Sequence, residues 1–349
     1  MAITIEDVAR EAGVSIATVS RVMNGTKAVS PSLTQRVLEV VRRNNFRPNT
    51  LARGLITKQT STLGVIVCDI SNPVFGALTK GINRVCQDRN YTVIICESDG
   101  KREKELALLQ KLSEQRIDGL LFAGVEVGEP LVARMLEMDY PAVLVTQEEF
   151  GGMKRLPTVV HDNDQAIRDA VDFLASLGHD RIAFIGGPEN DYSSGILRLA
   201  GYRAALKGLG IQPPDSYVEH GNFTFESGFT CMKRIYEENR DLPTAVVVCS
   251  DLMAVGAIQC ARSMGVSVPE EMSVMGFDDS ELAMYFTPAL STVRVSYFDE
   301  GVAAAEELFR RIEGGDRQPT LRHITHKVIR RSSVSRIGEP VKAPETYAN

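Results

Sequence analysis

From Leu63 onward the chain alternates short apolar runs with stretches of helical periodicity, and that alternation constrains its fold more than any other feature. The runs are Leu63–Cys68, Tyr91–Cys96, Ile117–Phe122, Ala142–Thr146, Thr158–Val160, Ile182–Gly186, Ala245–Cys249, Ser273–Phe277 and Thr292–Val295. Between them apolar residues recur at helical spacing, as at Leu106, Leu108, Leu109 and Leu112. Continuous apolar strands separated by helices predict parallel sheets covered on both faces. So many strands predict two doubly wound lobes rather than one compact sheet.

Ligands of such sheets sit beyond the carboxyl ends of the strands. Polar residues fall there: Asp69-Ile-Ser-Asn-Pro73 after the first run, Glu97-Ser-Asp99 after the second, and later Ser250-Asp251 and Asp278-Asp279. Each can be a helix N-cap. Four at equivalent strand ends also suit a cleft lined with hydroxyl-binding acids, and both readings stay open.

The length of 349 residues, with 44% hydrophobic and 24% charged, excludes a disordered or fibrous chain and predicts more than one domain. No run of about eighteen apolar residues predicts a membrane span. The first residues, Met1 to Asp7, carry no basic region followed by an apolar stretch, so no secretory signal and a cytoplasmic location are expected. Six cysteines form no CxxC pair or Cys/His cluster, which predicts buried reduced thiols and no metal. Hydrolase, phosphate-loop, zinc-protease and dinucleotide motifs are absent, so neither an enzyme nor a cofactor is expected. His179, in a helix-to-strand turn, reads as structural.

Charge is unevenly spread. Residues 1–60 hold nine Lys or Arg against four acids, a net +5, which leaves −11 on the rest of a chain whose total is −6. A basic head on an acidic body suits a polyanion partner. In that head Thr4 and Asp7 have capping-box spacing, followed by Ile5, Val8, Ala9 and Ala12 and a terminating Gly13. Ser15 opens a second helix with Val19, Val22 and Met23 on its apolar side, and Ser30-Pro31 opens a third. This is a helix-turn-helix pattern, or else merely a packed three-helix bundle. In the first case Ile16, Ala17, Thr18, Ser20 and Arg21 meet base edges in the major groove, and Arg21 can pair with guanine. Thr50-Leu-Ala-Arg-Gly-Leu55 is a helical stretch too short to be stable alone, so a partner must order it.

Thr4-Ile-Glu-Asp-Val-Ala-Arg-Glu-Ala-Gly-Val-Ser-Ile-Ala-Thr-Val-Ser-Arg-Val-Met-Asn24, with Arg47-Pro-Asn-Thr-Leu-Ala-Arg-Gly-Leu55, resembles the LacI/GalR family of transcription regulators. The resemblance extends to about residue 332. It implies a helix-turn-helix domain at 1–46, a hinge helix and linker at 47–60, and a periplasmic-binding-protein-like core at 61–331. Lobe one is expected at about 61–160 and 293–322, lobe two at about 161–292 and 323–331, with 332–349 a disordered tail. The partner it implies is double-stranded operator DNA of pseudo-palindromic sequence, bound by a homodimer. The expected contacts are Thr4, Ser15, Ile16, Ala17, Thr18, Ser20, Arg21, Asn24, Asn49, Ala52 and Leu55. Leu55 takes the place of the leucine wedge that kinks the operator centre. Leu33 departs from the family's usual threonine.

Carried over by motif, Asp69, Asn72 and Phe75 line the first lobe's side of an effector cleft. Arg198, Phe223, Asp251 and Asp278 line the second, with Phe223 covering a sugar or base and the charged groups fixing its polar edge. Arg198 can alternatively pair with an acid between the lobes. Val295 stands where the family often has glutamine. The effector class implied is a sugar or related metabolite. Ala17–Val22, Ala52–Leu55, Lys104–Leu109 and Gly221–Gly228 also resemble the family's catabolite-control members, which answer to a phosphorylated phosphocarrier protein. The competing class is a sugar-binding receptor without a DNA role, which the wedge-bearing hinge opposes; a sugar-metabolising enzyme ranks third.

Overall fold

A computed structural model describes residues 3–24, 28–46, 59–315 and 318–338, in two compact units divided after Thr60. The first unit holds α1 (Ile5–Ala12), α2 (Ile16–Asn24) and α3 (Pro31–Arg43). Thr4 caps α1: its Oγ1 accepts from the Asp7 backbone N–H at 3.3 Å, and Asp7 Oδ2 accepts from the Thr4 N–H at 3.0 Å. Gly13 ends the helix at φ +61°, a conformation glycine adopts without cost. Val8, Ala9, Ala12, Val19, Val37, Val40 and Phe46 close a small core. Glu11 ties α1 to the end of α3 through Arg43 and Asn44. Ser30, expected to cap α3, makes no side-chain cap bond; Pro31 alone marks that start.

The second unit has two six-stranded sheets. Its strands are β1 (Thr62–Val67), β2 (Thr92–Glu97), β3 (Gly119–Ala123), β4 (Ala142–Val145), β5 (Thr158–His161), β6 (Ile182–Gly186), β7 (Val218–His220), β8 (Ala245–Val248), β9 (Ser273–Asp278), β10 (Ser291–Val295), β11 (Leu321–Ile324) and β12 (His326–Ile329). The helices are α4 (Pro73–Asp88), α5 (Arg102–Glu114), α6 (Glu129–Leu136), α7 (Asn163–Ser176), α8 (Arg198–Gly208), α9 (Phe225–Glu238), α10 (Asp251–Ser263), α11 (Glu281–Tyr285) and α12 (Tyr297–Ile312). Sheet order is β11-β5-β4-β3-β1-β2 in lobe one and β12-β10-β9-β8-β6-β7 in lobe two. Central strands are buried end to end, as their unbroken apolar sequences require.

The chain crosses between lobes after β5, after β10 and between β11 and β12. All of β10 pairs within the second sheet, so that crossover follows Val295 rather than residue 292. Only Thr325 separates β11 from β12, so the chain passes straight from one sheet into the other. Having run parallel to β5 in the first, it lies antiparallel to β10 in the second.

Helices pack through glycines. A Cβ on Gly81 of α4 would sit 2.0 Å from the Phe298 carbonyl oxygen, and one on Gly301 of α12 would sit 2.2 Å from that of Leu78. These two helices therefore touch backbone to backbone, which holds α12 firmly against lobe one.

The expected disordered tail is corrected for residues 332–338; residues 339–349 lie outside the described set. Ser333 and Val334 are buried. Ser333 Oγ donates to the Val274 carbonyl at 2.6 Å and accepts from the Ser291 N–H at 2.8 Å. Ser335 accepts at its carbonyl from His179 Nε2 at 3.0 Å, which gives that histidine its structural task. Serine hydroxyls bind the tail here, a signal that a search for apolar periodicity passes over.

Ser333→Ala leaves a buried N–H and a buried carbonyl unserved and should cost about 1–3 kcal/mol of stability, read as an earlier midpoint in urea unfolding.

Candidate functional site

The head presents one helix face. Ser15 Oγ accepts from the Thr18 N–H at 3.2 Å and lies 2.9 Å from Thr18 Oγ1, so both hydroxyls fix the start of α2. Val19 is buried beneath, while Ile16, Ala17 and Arg21 are exposed. Ile16 is 46% exposed, and an apolar side chain there suits an apolar contact such as a thymine methyl. Ser20 is half-buried, and Asn24 ends the helix. The hinge, with Asn49, Ala52 and Leu55, lies outside the described residues.

Between the lobes of the core lies a cleft of about 580 Å³. The carboxyl ends of β1, β4, β5, β8 and β9 bring Cys68, Thr146 and Gln147, His161, Cys249 and Asp278 to it. The loop after β1 and the start of α4 add Asp69, Asn72 and Phe75, and the loop after β7 adds Asn222 and Phe223. Six of the seven expected effector residues thus converge. Asp69 accepts from the Ser71 N–H (2.8 Å) and hydroxyl (2.6 Å), and Asn72 caps α4 by accepting from the Val74 N–H at 3.1 Å. In Asn72 capping and cleft lining coexist, while Asp69 braces the loop before the helix.

Asp251 is the exception. Its carboxylate accepts from Thr292 Oγ1 (2.7 Å), the Ser280 N–H (2.7 Å) and Ser280 Oγ (2.9 Å), and it does not line the cleft. As the first residue of α10 it packs against Gly276, whose absent side chain leaves it room, and clamps the loop after β9.

Arg198, the first residue of α8, is buried in the cleft floor. Its Nε donates to Asn163 Oδ1 (2.7 Å), Nη1 to the Cys249 carbonyl (2.8 Å) and Nη2 to His161 Nε2 (3.1 Å), and its guanidinium stacks 3.6 Å from the Phe277 ring centroid. Among the described residues no acid forms an ion pair with it, contrary to the lobe-pairing alternative. His161 Nδ1 faces Glu300 Oε2 at 3.5 Å. Asp278, at φ +111°, accepts from Tyr297 Oη at 2.7 Å. Burial, then the neighbouring charge of Asp251, pushes the Asp278 carboxyl well up; burial pushes up Asp251 too.

Cys68 and Cys249 face the cleft as neutral thiols, for burial raises Cys68 far above its ordinary value and Cys249 to about 11. Cys68, just past the end of β1, and Cys96, on the edge strand β2, are half-buried rather than buried as expected. Phe223 leans over Gly187, where a Cβ would come within 2.7 Å of its ring.

Sequence reasoning missed Gln147, Asp191, His161 and Tyr297. The first and third stand at strand ends, where the strand-end rule would have found them; Asp191 and Tyr297 arrive on helix starts and carried no such signal.

Asp278→Asn should flatten the pH dependence of core stability. A carboxyl raised by folding contributes stability that is full at or below about pH 4 and declines as pH rises through its folded value. Chemical unfolding from pH 4 to 8 should show that decline in the wild type and less of it in the variant.

The family model described as "Bacterial regulatory proteins, lacI family" matches residues 4–49, and the periplasmic binding protein-like domain model matches residues 171–334. Catabolite control protein A of Priestia megaterium is 36% identical over 95% of this chain and 99% of its own length. The ribose operon repressor of Escherichia coli (strain K12) is 36% identical over 91% of this chain and 94% of its own. The solved lac repressor dimer bound to operator and the anti-inducer ONPF superposes with a TM-score of 0.86 at 26% identity, over 96% of this chain and all of that one. With a helix-turn-helix head and a two-lobed core spanning these relatives end to end, the chain belongs to the lacI family of bacterial regulatory proteins and is a DNA-binding regulator of transcription.

Proposed function

We propose that the protein is a cytoplasmic homodimeric repressor that reads a pseudo-palindromic operator through α2 and the hinge, and whose core cleft takes a neutral polyhydroxylated effector. One observation carries the effector reading. The cleft is lined by Asp69, Glu97, Asp99, Asp191 and Asp278 but, among the described residues, by a single Lys or Arg, Arg198, whose guanidinium already serves three protein acceptors. Such a lining accepts hydrogen bonds from hydroxyls and repels phosphates and carboxylates. Phe75 and Phe223 offer apolar faces for a sugar ring. Similarity to the ribose operon repressor makes D-ribose the first candidate.

For the dimer, Met284 and Tyr285 on α11 and Phe225 at the start of α9 are large apolar side chains left exposed on lobe two, as an unpartnered subunit surface would leave them. The two hinges of such a dimer would bring both Leu55 side chains to the operator centre.

Thermal unfolding of the full chain with D-ribose, D-glucose, ribose 5-phosphate and adenine tests the effector class. A ligand at about a hundred times its dissociation constant stabilises by about 2.7 kcal/mol; the neutral sugars should give the shift and ribose 5-phosphate none. A flat panel would favour a second reading, raised by the similarity to catabolite control protein A, in which a phosphorylated phosphocarrier protein docks on lobe one.

On DNA, Arg21→Ala should cost about 1–3 kcal/mol and relax preference at one base pair per half-site. Leu55→Ala should weaken specific binding far more than nonspecific binding. Fluorescence anisotropy on operator and scrambled duplexes reads both.

A further inference from the structure

One stretch of backbone beside the cleft is strained. Asp278 and Asp279 are successive non-glycine residues with positive φ, at +111° and +57°. The second falls in the left-handed well that a short polar side chain tolerates; the first lies well outside it. Every other described non-glycine residue with positive φ lies between +48° and +66°. A conformation like that of Asp278 persists only where its surroundings over-determine it.

Those surroundings lie outside the cleft. The Asp279 side chain is 7% exposed, and its carboxylate sits between two guanidinium groups, with Arg294 Nε at 2.5 Å and Arg331 Nη2 at 2.6 Å. Its N–H donates to Thr292 Oγ1 at 3.3 Å. Arg294 belongs to β10, where it stands in register with Asp278 itself. Arg331, just past β12, is pinned in turn: its N–H donates to Ser291 Oγ at 2.8 Å and its Nη1 to the Leu290 carbonyl at 2.9 Å. Asp279, Arg294 and Arg331 do not line the cleft, whereas Asp278 does. A glycine at 278 would relieve the strain, but it would remove the carboxylate that Tyr297 Oη serves at 2.7 Å. The strain is therefore tied to presenting that carboxylate.

We propose that Asp279, held between Arg294 and Arg331, is the positioning residue that aims the Asp278 carboxylate into the cleft and thereby sets the affinity for the effector. The ligand in this inference rests on the neutral-effector reading above; the clamp rests on geometry alone. The two arginines act from outside the cleft, so they change affinity without touching ligand. Arg331 also opens the segment whose Ser333 is bonded to β9, so the stretch that finishes lobe two holds the aim of a cleft residue.

Two measurements on the full chain test the clamp, the first without ligand. The titratable groups around Asp278 are Asp251, Arg198, Tyr297 and Cys249, and Asp279 in turn faces Asp251. Removing a cation, in Arg331→Gln or in Arg294→Gln at its half-exposed position, would by charge alone push these carboxyls higher and steepen the loss of stability from pH 4 to 8. Losing the aim does the opposite: Asp278 turns out to water, its carboxyl returns toward its ordinary value, and the profile flattens. Chemical unfolding should show that flattening in both variants and none further in an Asp278→Asn background. A steeper or unchanged profile overturns the clamp. Calorimetric titration with D-ribose and D-glucose then reads affinity. Arg331→Gln should weaken the sugar by about fivefold or more, and Arg331→Lys, which keeps the charge, should recover part of the loss. A lowered melting temperature or a flattened profile with unchanged affinity overturns the role in ligand binding. Should neither sugar bind the wild type, the neutral-effector reading fails by itself, and the pH profile alone decides the clamp.

Discussion

The core depends on how one buried cation is held. Arg198 sits in the cleft floor at 4% exposure, and a guanidinium there is tolerable only if its N–H groups find acceptors. Asn163 at the start of α7, the carbonyl at the end of β8 and His161 at the end of β5 supply them, and the Phe277 ring supplies a face. Through His161 the same network reaches Glu300 on α12, which also accepts from the Thr146 N–H at 3.0 Å. Residues of both lobes thus satisfy one charge, and the cleft floor is polar and buried. The cost is that this guanidinium is taken up by protein acceptors, while the rest of the cleft lining carries Asp69, Glu97, Asp99, Asp191 and Asp278.

Around that floor the backbone does the positioning. Parallel strands deliver their last residues to one edge of each sheet, so functional side chains need no special loop to reach the cleft. Glycine contacts between α4 and α12 fix α12 to lobe one, and α12 begins with Tyr297, whose hydroxyl serves Asp278 across the cleft. Any effect of the cleft on DNA binding is a coupling free energy that must act equally in both directions.

Much of this was legible in the sequence. The central strands announced themselves as unbroken apolar runs, and the three helices of the head by caps, spacing and Gly13. The edge strands β7, β11 and β12 were not, because Val-Glu-His, Leu-Arg-His-Ile and His-Lys-Val-Ile mix charged and apolar residues as half-solvated edges do. Asp251 misled because an acid after a strand can face the cleft or turn back upon its own loop, and three close donors decided the matter. The tail misled because serines, not apolar side chains, hold it. Gln147 stands where the strand-end rule points, but only the geometry revealed its buried carbonyl without a partner among the described residues.

The central claim, a sequence-reading head carried on a ligand-gated core, is tested most directly by selection from a random pool of double-stranded DNA with the full chain, followed by sequencing. The account predicts enrichment of one pseudo-palindrome, with preferences in each half-site where α2 meets the bases. Retention of DNA without any enriched motif would contradict it, reducing the basic head to a nonspecific polyanion binder.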